Sequence, residues 1–139
     1  VMPGMPLIYS GQEVGLNKRL KFFEKEEINW NDSLELTPFY KKLTTLKRTS
    51  SVLAAGNKGA DIFRIKSSND TNVFAFTRMN ETEKLLSIFN LSDKKLKILL
   101  EGEDYVDSFI DCITGETRTF AKGEMITLKP WEFHIYKKK

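Results

Sequence analysis

A single cysteine, Cys112, and a single histidine, His134, leave this chain without the ligand set of a structural zinc site, and one thiol cannot close an internal disulfide. Cys112 reads as a small strand residue, and alone it does not settle the redox compartment. No Gly-x-Ser-x-Gly turn is present to carry a serine nucleophile. No Gly-x-Gly-x-x-Gly or Walker pattern is present to cradle a phosphate, and no cofactor is expected. No apolar run approaches the ~20 residues of a transmembrane helix, so no membrane partner is expected. Charge of one sign is also scarce. The 22 Lys and Arg against 19 Asp and Glu leave +3, and Lys137, Lys138 and Lys139 account for that excess as a solvated tail. The other basic residues are scattered, which excludes a nucleic-acid stripe.

What is present is the balance of a globular domain: 40% hydrophobic residues, 29% charged, and enough Phe, Tyr and Trp to fill a sizeable core. Val1 to Tyr9 has neither an initiating Met nor a basic n-region and reads like the interior of a longer protein. A secretory signal would then lie upstream, which leaves the compartment open. Composition changes near Gly56, dividing the chain into residues 1–56 and 57–139.

In the first part, Leu7-Ile8-Tyr9 is an apolar run between Pro6 and Gly11, as suits a strand covered on both faces. A loop punctuated by Gly11 and Gly15 follows, to about Ser33. Its Phe22, Phe23, Ile28 and Trp30 are too many large apolar residues to be fully solvated, so it should pack on something. Thr37-Pro38 reads as the N-cap and first residue of a helix to about Thr49, with Glu35 near the positive end of its dipole. Phe39, Leu43, Leu46 and Leu53, with Tyr40, approximate its apolar face. After Gly59 the signals become strands: 62–65, 73–78, 85–89, 96–100, 105–112, 117–120, 125–128 and 131–136. Clusters such as Ser67-Ser68-Asn69-Asp70 and Thr114-Gly115 separate them. Short strands with such turn signals predict a mainly β domain, an antiparallel sandwich or barrel.

Few side chains are candidates for chemistry. His134 lies in Trp131-Glu132-Phe133-His134-Ile135-Tyr136, where alternation puts Glu132, His134 and Tyr136 on one face. It reads as a strand histidine at the sandwich surface. Asp70, Glu81, Asp93, Glu101, Glu103 and Asp104 fall in turns, where acids are usually solvated. Gln12-Glu13 directly follows a buried-type strand, where barrel enzymes place functional residues; Glu13 is either site-proximal or a loop brace. Trp30, Tyr105 and Trp131 are the rings that could suit the apolar faces of sugars, with core packing the commoner fate of such residues. No metal-binding residue is expected.

Gly4-Met5-Pro6-Leu7-Ile8-Tyr9-Ser10-Gly11-Gln12-Glu13 closely resembles the eighth barrel strand of the α-amylase superfamily, glycoside hydrolase family 13, typically Gly-x-Pro-x-x-Tyr-x-Gly-x-Glu. Lys18 to Lys25 and Ile28-Asn29-Trp30 are similar to the segment that follows in many bacterial members, and Phe39 to Arg48 resembles the eighth barrel helix. Phe74 to Arg78, Leu86 to Ser92, Asp111 to Gly115 and Leu128 to Glu132 resemble landmarks of the family's domain C, a Greek-key β-sandwich. The resemblance implies a barrel remnant over 1–56 and an all-β C-terminal domain over 57–139 of a retaining α-glucan hydrolase. The family's catalytic carboxylates would lie upstream of Val1, so none is expected here, and Glu13 would be only site-proximal. The implied partner is the upstream barrel of the same polypeptide. Self-association through an uncovered barrel remnant, and α-glucan held by the sandwich itself, are the further expectations.

Overall fold

A computed structural model describes residues 1–30 and 36–139. Helix α1 spans Leu36–Thr49, and eight strands follow: β1 Phe63–Ile65, β2 Val73–Met79, β3 Lys84–Asn90, β4 Leu96–Ile98, β5 Ser108–Asp111, β6 Thr117–Thr119, β7 Ile126–Leu128 and β8 Phe133–Lys138. All pairings are antiparallel. Six strands form one sheet in the order β1-β2-β3-β8-β5-β6, and β4 pairs with β7 in a second. The mainly β, antiparallel fold expected from the sequence is the one observed. No helix among the described residues is long and apolar enough to cross a membrane.

The strands lie where the turn chemistry places them. Between β2 and β3, the Asn80 side-chain oxygen accepts from the amides of Thr82 and Glu83 at 3.0 and 2.9 Å, closing the turn locally. Asn90, buried at the end of β3, donates to the carbonyls of Lys94 and Lys129 and accepts from Ser92. One amide thus ties the β3–β4 loop to the turn before β8.

Register divides the large sheet into two faces. Val73, Ala75, Leu86, Ile88, Phe109 and Tyr136 point to one side and bury against Ile98, Ile126 and Leu128 of the small sheet. This is the sandwich core. Phe74, Phe76, Leu85, Phe89 and Phe133 point to the other side, where α1 and the turns after it lie. A sheet covered on both faces explains why β2 and β3 read as nearly continuous apolar runs rather than as alternation.

The first thirty residues depart from expectation. Leu7, Ile8 and Tyr9 pair with no strand among the described residues, because no neighbouring strand stands beside them to take their backbone groups. Gln12–Val14 forms a 3-10 turn between left-handed Gly11 and Gly15. Helix α1 begins at Leu36, so Thr37 is not its N-cap; its hydroxyl instead donates to the Glu13 carbonyl at 2.9 Å. Glu35, expected near the helix dipole, and the end of the loop at Ser33 lie outside the described residues. Leu53 lies beyond the helix, in a 3-10 turn Ser51–Leu53, and is buried. Trp131 precedes β8 in a turn rather than opening the strand.

Gly59 shows how tightly the link between α1 and β1 packs. Its φ of −81° suits any residue, yet an added Cβ would stand 2.2 Å from the Ala54 carbonyl oxygen and 2.9 Å from Nη2 of Arg78. Gly59→Ala is therefore expected to cost about 1–3 kcal/mol by overpacking against backbone. Gly123→Ala meets open space and should lose only about 1–2 kcal/mol, for its left-handed φ of 75°. Urea midpoints of the two variants decide; a Gly59→Ala loss under about 1 kcal/mol would mean that the Ala54 contact yields freely.

Candidate functional surface

The helix side of the large sheet carries a row of aromatic rings. Phe74 meets Phe76 at 5.1 Å between centroids and Phe89 at 6.5 Å. Phe89 stacks on Phe76 at 6.1 Å and on Phe133 at 6.2 Å, and Phe39 of α1 closes on Phe133 at 5.9 Å. The Arg64 guanidinium lies 4.8 Å over the Phe74 ring and donates to the carbonyls of Val73 and Ala75, so it covers one end of the row. Beside the row, Val52, Leu53 and Leu85 are buried together, with Val1, Leu46, Ala60 and Cys112 packed around them.

Two charged side chains tie this layer to the sheet. Glu83, in the β2–β3 turn, accepts at Oε2 from the Ser51 amide (2.8 Å) and hydroxyl (2.9 Å) and from the Val52 amide at 3.4 Å. Lys137 stands 3.0 Å from its Oε1. Burial opposes the ionised carboxyl, but Lys137, the serine hydroxyls and the Val52 amide outweigh it and hold Glu83 below its ordinary pKa. Arg78 of β2 is 1% exposed. It donates from Nε to the Ala60 carbonyl (2.9 Å) and from Nη1 to the Val1 carbonyl (2.7 Å). Burial lowers its pKa, with nearby Asp61 acting in the opposite direction. The sequence reading did not single out either residue. The available signal for Arg78 was a guanidinium inside the apolar run Val73-Phe74-Ala75-Phe76-Thr77-Arg78-Met79.

The residues singled out from sequence lie apart from one another. Glu13 sits in the Gln12–Val14 turn, where its Oε2 accepts from the Gly11 amide at 3.1 Å and its carbonyl accepts from Thr37. Trp30 is 53% exposed and Trp131 64% exposed. Among the described residues no hydrogen bond, ion pair or ring contact joins Glu13, Trp30 and Trp131. Tyr105, the third ring considered for sugars, takes the core alternative and is fully buried. Its ring packs on Phe120 at 6.4 Å and its hydroxyl accepts from the Gly123 amide, so it is core.

Trp131 is the only described residue other than glycine with a positive φ, at 57°. Its amide donates to the Ser92 carbonyl at 3.0 Å, and the Glu132 carboxylate accepts from the Lys129 amide in the same turn. The backbone that carries this exposed ring is thus held in the turn.

Among the described residues the titratable groups do not assemble into a catalytic set. His134 Nδ1 stands 3.1 Å from Asp111 Oδ2, and Nε2 stands 3.8 Å from Glu132, a carboxylate rather than a hydroxyl or thiol that it could activate. The ring stacks on Tyr136 at 5.3 Å, and Asp111 Oδ1 accepts from the amides of Ile113 and Thr114, so the cluster braces turns. Burial, with Asp111 beside it, pushes the Cys112 thiol up to about 11, which keeps it protonated and unreactive at neutral pH. Among the described residues no group of three or more His, Cys, Asp or Glu is placed to hold a metal ion. A cleft of about 820 Å3 between α1 and the end of the sheet contains one carboxylate, Asp111, where glycoside hydrolysis needs two facing each other.

Residues 63–135 match the family described as the maltogenic amylase C-terminal domain. Neopullulanase 2 of Thermoactinomyces vulgaris is 28% identical over 138 residues, covering 93% of this chain and 22% of its own length. A probable oligo-1,6-glucosidase 3 of Bacillus subtilis (strain 168) is 26% identical over 123 residues, covering 88% and 21%. A noncanonic maltogenic α-amylase from Thermotoga neapolitana has a crystal structure that superposes with a TM-score of 0.79 at 16% identity, covering 95% of this chain and 32% of that one. The chain thus spans about a fifth of the length of the curated relatives it matches.

Proposed function

Because this chain belongs to the maltogenic amylase C-terminal domain family, we propose that it is the closing part of an α-amylase-type enzyme and acts as a scaffold rather than a catalyst. Residues 57–139 are the C-terminal sandwich, and residues 1–56 are the last strand, loop and helix of the catalytic barrel. The parent cleaves α-glucosidic bonds of starch or maltodextrin by the retaining, two-carboxylate route. Its catalytic carboxylates lie upstream of Val1, and Glu13 sits beside its active-site end.

One observation carries this reading: the placement of uncovered apolar surface. Met5, Leu7, Phe22 and Phe23 are all more than 80% exposed, and among the described residues Phe22 and Phe23 have only each other as ring partners, at 4.8 Å. The sandwich core, by contrast, is closed. Surface of that kind, concentrated in one segment, marks a contact face. Helix α1 gives the same sign, since its amphipathic face has no fully buried residue. An upstream barrel would cover both, and the sandwich would shield the barrel's flank in return.

Trp131 supports a second reading, in which the sandwich also holds α-glucan, because its ring is exposed on a turn whose backbone is hydrogen-bonded in place. A titration with maltoheptaose, followed by tryptophan fluorescence and run beside a reducing-sugar assay, separates the readings. The scaffold reading expects neither binding nor hydrolysis by the pure chain. Saturable quenching that disappears in Trp131→Ala but survives in Trp30→Ala would make the sandwich a glucan holder. Hydrolysis by the pure chain would sink both. Light scattering that gives a strict monomer would argue against self-association through residues 1–30.

A further inference from the structure

Among residues 1–30, Gly11 and Val14 are the only buried ones. Both belong to the turn that follows Leu7 to Tyr9, and this turn is complete although no strand forms before it. Its backbone closes on itself. The Gln12 amide donates to the Tyr9 carbonyl at 2.9 Å, and the Val14 and Leu16 amides donate to the Gly11 carbonyl at 3.1 and 2.9 Å. Gly11 is left-handed at φ 92°, and a Cβ there would stand 2.8 Å from the Leu16 side chain, so the turn needs glycine at this position.

Two side chains finish it. Gln12 Oε1 accepts from the Tyr9 amide at 2.7 Å, and Glu13 Oε2 accepts from the Gly11 amide at 3.1 Å. Among the described residues neither amide has another acceptor. Glu13 also ties the turn to α1, because its carbonyl accepts from the Thr37 hydroxyl at 2.9 Å. The chain leaving the turn at Leu16 is braced by its own charges. Lys18 stands 3.5 Å from Glu26, and Glu26 Oε2 accepts from the Lys21 amide at 2.8 Å. Residues 18–26 are thus closed on themselves, and their attitude is set where they leave the turn. In a (β/α)8 barrel the stretch after the C-terminal end of a strand faces the active site.

Resting on the function proposed above, we infer that Glu13 is a positioning residue for the parent's reaction. By holding the Gly11 amide it fixes the turn, and through the turn it sets where residues 18–26 stand against the incoming α-glucan. What the site needs from Glu13 is a hydrogen-bond acceptor and not a negative charge. Its Oε1 has no hydrogen bond among the described residues, so the rival role is a charge offered directly to substrate, and the two roles make opposite demands on a neutral replacement.

Two variants of the whole enzyme, assayed on maltoheptaose across the pH range, test this. Glu13→Ala removes the acceptor. Its KM should rise about fivefold, the equivalent of one hydrogen bond, with kcat less affected because the catalytic carboxylates stand on other strands. Glu13→Gln keeps an acceptor, so its KM should stay near the parent's and its pH–rate profile should overlay the parent's. A loss of folded enzyme would lower kcat and leave KM unchanged, and so does not imitate this pattern. Amide exchange locates the effect, since Gly11 should exchange faster in Glu13→Ala than in Glu13→Gln. If Glu13→Gln raises KM as far as Glu13→Ala, or loses a limb of the pH profile, the charge itself serves the reaction and the inference is overturned. Parent KM in both variants overturns it as well. Should Glu13→Ala fail to fold, the Glu13→Gln arm decides alone. A parent enzyme that releases no reducing sugar from the glucan would instead sink the proposed function, and this inference with it.

Discussion

Phe120→Ala should lower the unfolding free energy of the sandwich by about 3–5 kcal/mol, the range for deleting a buried phenyl ring from a closed core. Phe120 is 1% exposed and sits just past β6 where three aromatic side chains converge. Its ring meets Tyr136 of β8 edge-on at 5.3 Å, Phe109 of β5 at 6.0 Å and Tyr105 at 6.4 Å, and the Arg118 guanidinium caps it at 4.4 Å. The cavity cannot collapse easily, because the backbone on each side is fixed. The Phe120 amide donates to the Asp107 carbonyl, and the Tyr105 hydroxyl holds Gly123 across the same loop. Trp131→Ala, which removes a larger ring from the surface, should change stability by no more than about 0.5 kcal/mol. Urea unfolding of both variants makes the comparison. A Phe120→Ala loss under about 1 kcal/mol would mean that the aromatic cluster is not a packed unit.

The strand pattern was legible because each turn is encoded by a few adjacent residues. Ser67 to Asp70, Asn80 to Glu83, and Thr114-Gly115 act locally through side-chain oxygens and left-handed glycine, so the eight strands fall close to where the apolar runs place them. Sheet membership was not legible in the same way. That β8 inserts between β3 and β5 while β4 leaves to pair with β7 depends on contacts far apart in the chain, which no window of sequence contains. Tyr105 illustrates a second limit. A tyrosine flanked by Asp104 and Val106 looks like a surface ring until Gly123, eighteen residues on, supplies a donor for its hydroxyl. Glu83 and Arg78 were hidden for the same reason. Their partners are backbone groups of Ser51, Val52, Ala60 and Val1, and the sequence does not advertise a carbonyl or an amide as waiting for a charge. Leu7 to Tyr9 marks the opposite case. The family motif was legible there, and its strand is not formed, since a strand needs neighbours as well as a sequence.

Glu83→Ala should detach α1 from the sheet before the sandwich itself unfolds. The carboxylate leaves behind the Ser51 and Val52 amides, and each N–H stranded away from water costs about 1–3 kcal/mol. The lost ion pair adds little, because Lys137 is half exposed and regains water. Glu83→Gln keeps an acceptor for the two amides and should lose less. The same bonds set a pH dependence. Glu83 is held below its ordinary pKa of 4.5 in the folded chain, so its contribution is fully present above that value and disappears as pH falls through the depressed one. Acid titration of the parent chain should therefore weaken the α1–sheet contact as pH falls below that ordinary value, and Glu83→Gln should lack that component. Hydrogen exchange locates the event. Amides of 38–53 should lose protection in Glu83→Ala while those of β2 and β3 keep theirs, because the core of Val73, Ala75, Leu86 and Ile88 faces away from the lost bond. If helix and strands open together in the variant, Glu83 holds the whole fold and not only the helix layer, and the sandwich would then depend on residues 36–53 for its own stability.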